Sequence, residues 1–419
     1  MIELQSSGID YARLRHAGRD VLSLALIDAR NRTLAWATLL EEAPGDVLRL
    51  GGGELAPGAV ANLDPPLWTL GRVGWFQEYW IARNVQRGRG EAADPQGPRL
   101  ASILSAADSL YDPATVARPT RRGLAADGLP DMQATRQYLV ESLETTLDLL
   151  DGVRGEDDDA LYFHRLALFH EEMRIEDFAV LAQTVGVAVP DSLVARAATF
   201  APRPPLAFPA TRWLLGAGAP GFAFDNERAP HPVTIPEFEI DSQPVSWSQY
   251  GEFVEDGGYD EQAHWSEAGW AWVAAESRRT PRHVDQMRHG VLRRRFGQLS
   301  RVAGAEPALH VSAFEAEAWC RWAGRRLPGE AEWEAAAHQG ASRGFRFGDV
   351  WEWTASTFRP YPGFVLGPWR DYSLPCFGRT RVLRGASFAT PLGLRSARFR
   401  HFAELGRDEG FFGFRSCAA

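Results

Sequence analysis

The segment His170-Glu171-Glu172-Met173-Arg174 offers the chain's most readable chemistry. Side chains four residues apart on a helix stand one above the other, so two histidines at that spacing can grip one metal ion. His170 holds the first of those places and Arg174 the second. A guanidinium stays charged at any accessible pH, carries five donors and offers no lone pair. It cannot ligate iron or zinc, and it repels either. Nor do nearby groups replace it. Glu172 and Glu176 each stand about 200° around the helix from the residue two places before. His164 is about 240° from His170 in projection.

The rest of the chain must position that segment. At 419 residues it is long for one compact domain, and two are expected. Hydrophobic residues at 45% and charged residues at 24% suit a globular protein with ample core. A net charge of −9 argues against general nucleic-acid affinity. The basic runs Arg118–Arg122 and Arg293-Arg294-Arg295 read as solvated surface or salt-bridge partners. Cys320, Cys376 and Cys417 are odd in number and widely spaced, which suits a reducing cytoplasm. No leader pattern and no run of ~18 apolar residues is present. A cytoplasmic protein with neither membrane nor nucleic-acid partners is expected.

Apolar positions at three-to-four spacing predict helices over 18–41, 67–86, 132–152 and 159–185. Gly51-Gly52-Gly53 and Pro95 to Pro98 fall in the links. Four long helices with polar connections predict a four-helix bundle over 1–200. Ala201-Pro202-Arg203-Pro204-Pro205 is a linker by composition. Beyond it, 201–419 is rich in tryptophan, glycine and loops. Short helices are expected at 246–255, 312–324 and 329–338, with strands at Val233–Ile240 and Arg381–Arg384. The fold class is α+β.

Ordered motifs run through the second half. They include His310-Val311-Ser312, Glu315-Ala316-Glu317-Ala318-Trp319, Gly324-Arg325-Arg326-Leu327-Pro328 and Glu330-Ala331-Glu332-Trp333-Glu334. Trp351-Glu352-Trp353, Arg384-Gly385-Ala386-Ser387-Phe388 and Gly413-Phe414-Arg415 follow. Together they resemble the formylglycine-generating-enzyme-like domain, the sulfatase-modifying-factor fold, which is C-type-lectin-like. Oxidases of that fold hold copper on a cysteine pair near the C-terminus. This chain has no such pair, so that activity is not expected.

A narrower resemblance joins both halves. Pro65-Pro66-Leu67-Trp68, Gly74-Trp75-Phe76-Gln77-Glu78-Tyr79-Trp80 and Ala82-Arg83-Asn84 carry it. So do Phe169-His170-Glu171-Glu172-Met173, Phe224-Asp225-Asn226-Glu227, Gly257-Gly258-Tyr259 and Tyr361-Pro362-Gly363-Phe364. The layout resembles the ergothioneine sulfoxide synthases and the branch containing selenoneine synthase, with a DinB-like bundle ahead of the second domain. That resemblance implies one non-haem iron(II) on three bundle histidines. It also implies O2-dependent joining of a sulfur or selenium donor to the imidazole of hercynine (Nα-trimethylhistidine).

Carried onto this chain, the three ligand positions are Arg72, His170 and Arg174. The resemblance thus implies iron(II), while two of the three side chains cannot bind it; the alternative is no cofactor. Arg72 and Arg174 are expected to face each other, either salt-bridged by Glu78, Glu171, Glu172 or Asp108 or forming an anion pocket. A metal site with other ligands is the remaining option. Among the tyrosines, Tyr361 is the candidate proton donor, with Tyr372 behind it. Trp75, Phe76, Trp353 and Phe402 are candidates for holding a trimethylammonium group by cation–π attraction. Arg83 and Arg407 are candidates for a donor carboxylate. Core packing and surface ion pairs explain these same residues equally well. His401-Phe402 stands where the family has asparagine before an aromatic residue. Two functions are therefore expected in parallel: an O2-dependent synthase, or a metal-free relative binding a small molecule or partner protein.

Overall fold

The computed structural model describes residues 9–50, 60–155, 157–196, 199, 201–287 and 289–419. Gly51-Gly52-Gly53 lies outside the described residues. The first half is helical: α1 (Arg19–Glu41), α2 (Pro66–Gln77), α3 (Ala107–Tyr111), α4 (Arg118–Asp127), α5 (Met132–Asp151) and α6 (Asp158–Val185). The four long helices fall where apolar spacing puts them. Proline at the first helical position opens α2, where its missing N–H costs nothing. The helix then widens into a π turn, Glu78–Ala82. Asp157 caps α6, and Gly186 ends it in the left-handed conformation at φ 79°.

One buried cation ties the bundle together. Arg30 of α1 pairs with Glu171 of α6 at 2.8 Å and donates to Gln77 of α2 at 2.7 Å. It also donates to the Leu139 carbonyl of α5. The short helices α3 and α4 escaped the periodicity reading. The basic run on α4 is not free surface: Arg121 pairs with Asp64 at 2.8 Å and lies 4.0 Å from the Trp68 ring centre.

The second half builds two four-stranded sheets. In one, Val350–Thr357 pairs antiparallel with Arg381–Ala386 and parallel with Phe412–Phe414, and His401–Ala403 forms an edge. In the other, Leu206–Phe208, Phe238–Ile240, Cys417–Ala418 and Arg325–Arg326 lie side by side in that order. The expected strand at Val233–Ile240 is two strands, His231–Ile235 and Phe238–Ile240, broken around Pro236. Helices Trp247–Glu255, Ala313–Trp322 and Glu330–Gln339 occur as expected; Glu267–Glu276 is an addition.

The motif residues of this half mostly serve the interior. Arg415 and Glu352 are fully buried and joined by a bond of 2.8 Å, and the Trp333 indole donates to Glu352 at 2.7 Å. Arg384 pairs with Glu334, both fully buried. Such pairs need complete hydrogen bonding to offset desolvation, which is why several motif positions are charged. Arg293, Arg294 and Arg295 pair with Glu306, Asp285 and Asp191. One apolar core runs continuously through both halves. No described helix is long and apolar enough to cross a membrane.

Candidate functional site

Helix α6 lies between the other bundle helices and the second half, so its middle, Leu161 to Glu172, is buried throughout. His170 sits there, 1% exposed, with the Phe76 ring of α2 stacked on it at 3.8 Å and 8°. Trp369, from the loop before Arg370–Ser373, meets both rings edge-on, 5.4 Å from His170 and 5.0 Å from Phe76. No described side chain hydrogen-bonds the imidazole. Burial and the Arg174 and Arg72 charges hold it well below its usual pKa, so the ring is neutral.

Arg72 is on α2, one turn before Phe76. The residue is 6% exposed, and its guanidinium lies 5.1 Å from the Trp75 ring centre and 5.9 Å from that of Phe76. The only hydrogen bond it makes to a described residue runs to the Tyr111 carbonyl at 2.8 Å. Gly71 permits that bond, because a Cβ there would stand 2.2 Å from the Tyr111 ring. Burial, then the charges of Arg174 and Arg121, push Arg72 down to about 9. Arg174, one turn after His170, pairs with Asp177 at 2.9 Å and leaves its Nε buried without a partner. Arg72 and Arg174 thus act on His170 from two helices.

The expected carboxylate partners of this cation pair are all engaged elsewhere. Glu171 belongs to Arg30. Glu172 lies 3.4 Å from Arg32, and burial raises its pKa to about 7. Glu78 accepts from Ser102, Ile103 N and Tyr138 at 2.5–2.7 Å. Asp108 takes a bidentate pair from Arg83 at 2.7 Å and the Trp75 indole. The salt-bridged reading is corrected accordingly: Arg72 has no ion pair among the described residues, and Arg174 uses Asp177, which the sequence reading did not name.

From the second half come Tyr372, stacked on Trp369 at 4.5 Å, and Phe402, 5.4 Å from Tyr372. The Tyr372 hydroxyl is buried without a hydrogen-bond partner, and burial raises its pKa well above the usual value. His401 rests on Trp351 at 4.9 Å; burial, then Arg407 and Arg174, lower it to about 3. Tyr361 stands with a different group: its hydroxyl donates to Glu330 at 3.3 Å, Arg400 lies 3.9 Å from its ring centre, and His231 packs edge-on. Tyr372, placed second by sequence, joins the His170 group through Trp369.

Other candidates have protein partners. Trp353 is fully buried and donates to the Val311 carbonyl at 2.7 Å. Arg83 is held by Asp108, and Arg407 donates to Glu409 at 2.6 Å. His164 is buried away from the junction, lowered to about 4 by desolvation. Glu176 faces the second half, as its helical angle requires. Sequence reading missed Trp369, which sits in irregular chain where no periodicity marks it.

The donor set does not fit an iron ion. A neutral imidazole with two guanidinium charges acting on it offers a metal one lone-pair donor and two repelling charges. Among the described residues no three His, Cys, Asp or Glu side chains stand together as a ligand set. What the junction can do is bind: it offers unpaired donors, a neutral imidazole and aromatic walls.

Residues 207–347 and 346–419 match the sulfatase-modifying factor enzyme 1-like domain. That places the second half in its class, with a helical half ahead of it. Over 47% of its length the chain is also 29% identical to an inactive C-alpha-formylglycine-generating enzyme 2 of Mus musculus, of which 79% is covered. Several relatives span both halves, among them two hercynine oxygenases. A hercynine oxygenase of Mycolicibacterium thermoresistibile is 30% identical, covering 95% of this chain and 94% of its own. One of Mycolicibacterium smegmatis is 32% identical over 84% and 90%. The chain belongs to the hercynine oxygenase family.

Proposed function

We propose that this chain binds a small, hercynine-like molecule at the His170 junction, without metal or oxygen chemistry. The observation that carries this reading is that Arg72 and Arg174 occupy two of the three positions where the family resemblance puts histidine ligands, and that both charges act on His170 at the third. Two guanidiniums there oppose a metal ion, while the Phe76, Trp369 and Tyr372 rings suit a flat, aromatic ligand. Hercynine is the natural first ligand to test, because the full-length relatives carry it in their names.

The test is iron content after anaerobic loading with iron(II) and desalting, with Arg72→His/Arg174→His loaded beside the wild type. The expected result is essentially no iron in the wild type and a gain in the double variant. About one iron per wild-type chain, with hercynine-dependent O2 uptake, would overturn the reading. It would establish the second one: an O2-dependent synthase joining a thiol or selenol donor to hercynine. Identity of 30% across nearly the whole chain favours that alternative.

A further inference from the structure

We propose that a cleft beside the linker is a second binding site, separate from the His170 junction, and that it takes a small oxoanion. The cleft measures about 240 Å3 and opens between Pro202-Arg203, residues 241–249 and the loop 304–307. That is small for a drug-sized ligand and ample for an anionic headgroup on a short body.

Its walls present donors that the chain itself does not use. Ser242 is 2% exposed, and its hydroxyl is buried without a hydrogen-bond partner. Such a group is destabilising unless something completes it. Arg203 is exposed and enters no ion pair among the described residues. Its Nη1 rests over Gly344, where a Cβ would stand 2.5 Å away. Two residues on, the Arg346 amide donates to the Ser242 carbonyl at 3.0 Å. The guanidinium and the spare hydroxyl therefore border the same short stretch of chain. Gln249 spends its side-chain oxygen on the Ser246 amide and hydroxyl, both at 3.0 Å, which leaves its NH2 group for the cleft.

Free acceptors are scarce by comparison. The one carboxylate among the described residues of the wall, Asp241, has both oxygens engaged. Arg325 holds Oδ1 at 3.0 Å, and the Ser416 amide and hydroxyl hold Oδ2 at 2.9 and 2.5 Å. Arg325 thus meets the charge of Asp241, and the charge of Arg203 stands alone. Gln243 gives its NH2 to the Ala201 carbonyl at 2.9 Å and keeps one oxygen. A cation would meet that amide oxygen and a guanidinium. An oxoanion meets the guanidinium, an amide NH2 and serine hydroxyls that can turn to donate. The first amides of the helix Trp247–Glu255 take no part, since Trp247 and Ser248 donate to the Glu306 and Gly304 carbonyls at 2.9 Å. Recognition falls to side chains, with the rings of Pro202, Pro244 and Pro307 as the apolar remainder of the lining.

The test is titration calorimetry on the full chain at constant chloride, with inorganic phosphate, acetate and neutral acetamide as probes. Both anions are expected to bind, with acetamide about tenfold weaker or worse; the tighter anion identifies the headgroup. In Arg203→Gln, an exposed position, both anions should lose about tenfold. Ser242→Ala should cost about fivefold while melting no lower than the wild type, because it strands no partner. Arg136→Gln, on α5 in the helical half, should leave both affinities unchanged. Binding of none of the three probes overturns the site, as does acetamide binding as tightly as acetate. Unchanged affinity in Arg203→Gln, or an equal loss in Arg136→Gln, overturns it too. None of these variants alters the His170 junction, so the iron measurement reports on that site separately.

Discussion

Arg30 and Arg72 are both buried guanidiniums of the same bundle, and the chain treats them in opposite ways. Arg30 reaches Glu171, Gln77 and the Leu139 carbonyl, so each of its three nitrogens has a partner. Arg72 has one carbonyl and three aromatic faces. Removing one member of a buried pair strands the other charge, so Arg30→Met should cost about 3–5 kcal/mol. Arg72→Met removes a cation that has no ion-pair partner among the described residues and leaves one carbonyl stranded. It should leave stability unchanged or raise it by about 1–2 kcal/mol. Chemical denaturation of the two variants checks the pair of statements. A loss of several kcal/mol in Arg72→Met would show that the protein itself satisfies this cation. Groups kept against stability are a mark of binding sites.

At the scale of elements, helix α2 shows how packing sets up that residue. Every residue from Pro66 to Gln77 is buried, so the helix has no solvent face. Gly71 lets α3 approach until the Tyr111 ring would touch a Cβ at 2.2 Å, and the Tyr111 carbonyl then meets Arg72. Gly71→Ala should therefore destabilise by about 1–3 kcal/mol through overpacking. It should also weaken hercynine binding, because the Tyr111–Arg72 bond shifts with α3. Thermal denaturation and calorimetry on one sample read both effects; a stable variant with unchanged binding would break the link between α3 and the site. The four long helices were legible in the sequence because each repeats its apolar positions over several turns. The five residues of α3 and the ten of α4 are too short to show a period, and their contacts are set by glycines and tryptophans from elsewhere. The site was legible in part for the same reason. His170 and Arg174 share a helix, so their spacing reveals a common face. Trp369 precedes the single helical turn that holds Tyr372, too short to show a period, and only three-dimensional packing puts Trp369 against His170 and Tyr372 against Trp369.

For the whole molecule, the junction exists because the two halves share one core. Phe222 packs on Tyr162 and Phe169 of α6, and Arg15 forms a bidentate pair with Glu227. Gln183 bonds both the Arg294 carbonyl and the Phe296 amide at 2.8 Å. Glu176 is the polar centre of this seam, accepting from Ser387 at 2.5 Å, Thr390 at 2.7 Å and the Trp351 indole at 2.8 Å. Trp351 also carries His401, so the same bond that joins the halves holds one edge of the site. Glu176→Ala strands that indole N–H and leaves the Ser387 and Thr390 hydroxyls, 3.2 Å apart, only each other as acceptors, at a cost of about 1–3 kcal/mol for each group left dry. In the wild type, helix content and tryptophan fluorescence should therefore fall in one coincident transition. In Glu176→Ala the tryptophan signal should change first, with the helical signal following at higher denaturant. Coincident curves in the variant would mean that the apolar core alone couples the halves. The site would then owe its alignment to packing rather than to this carboxylate.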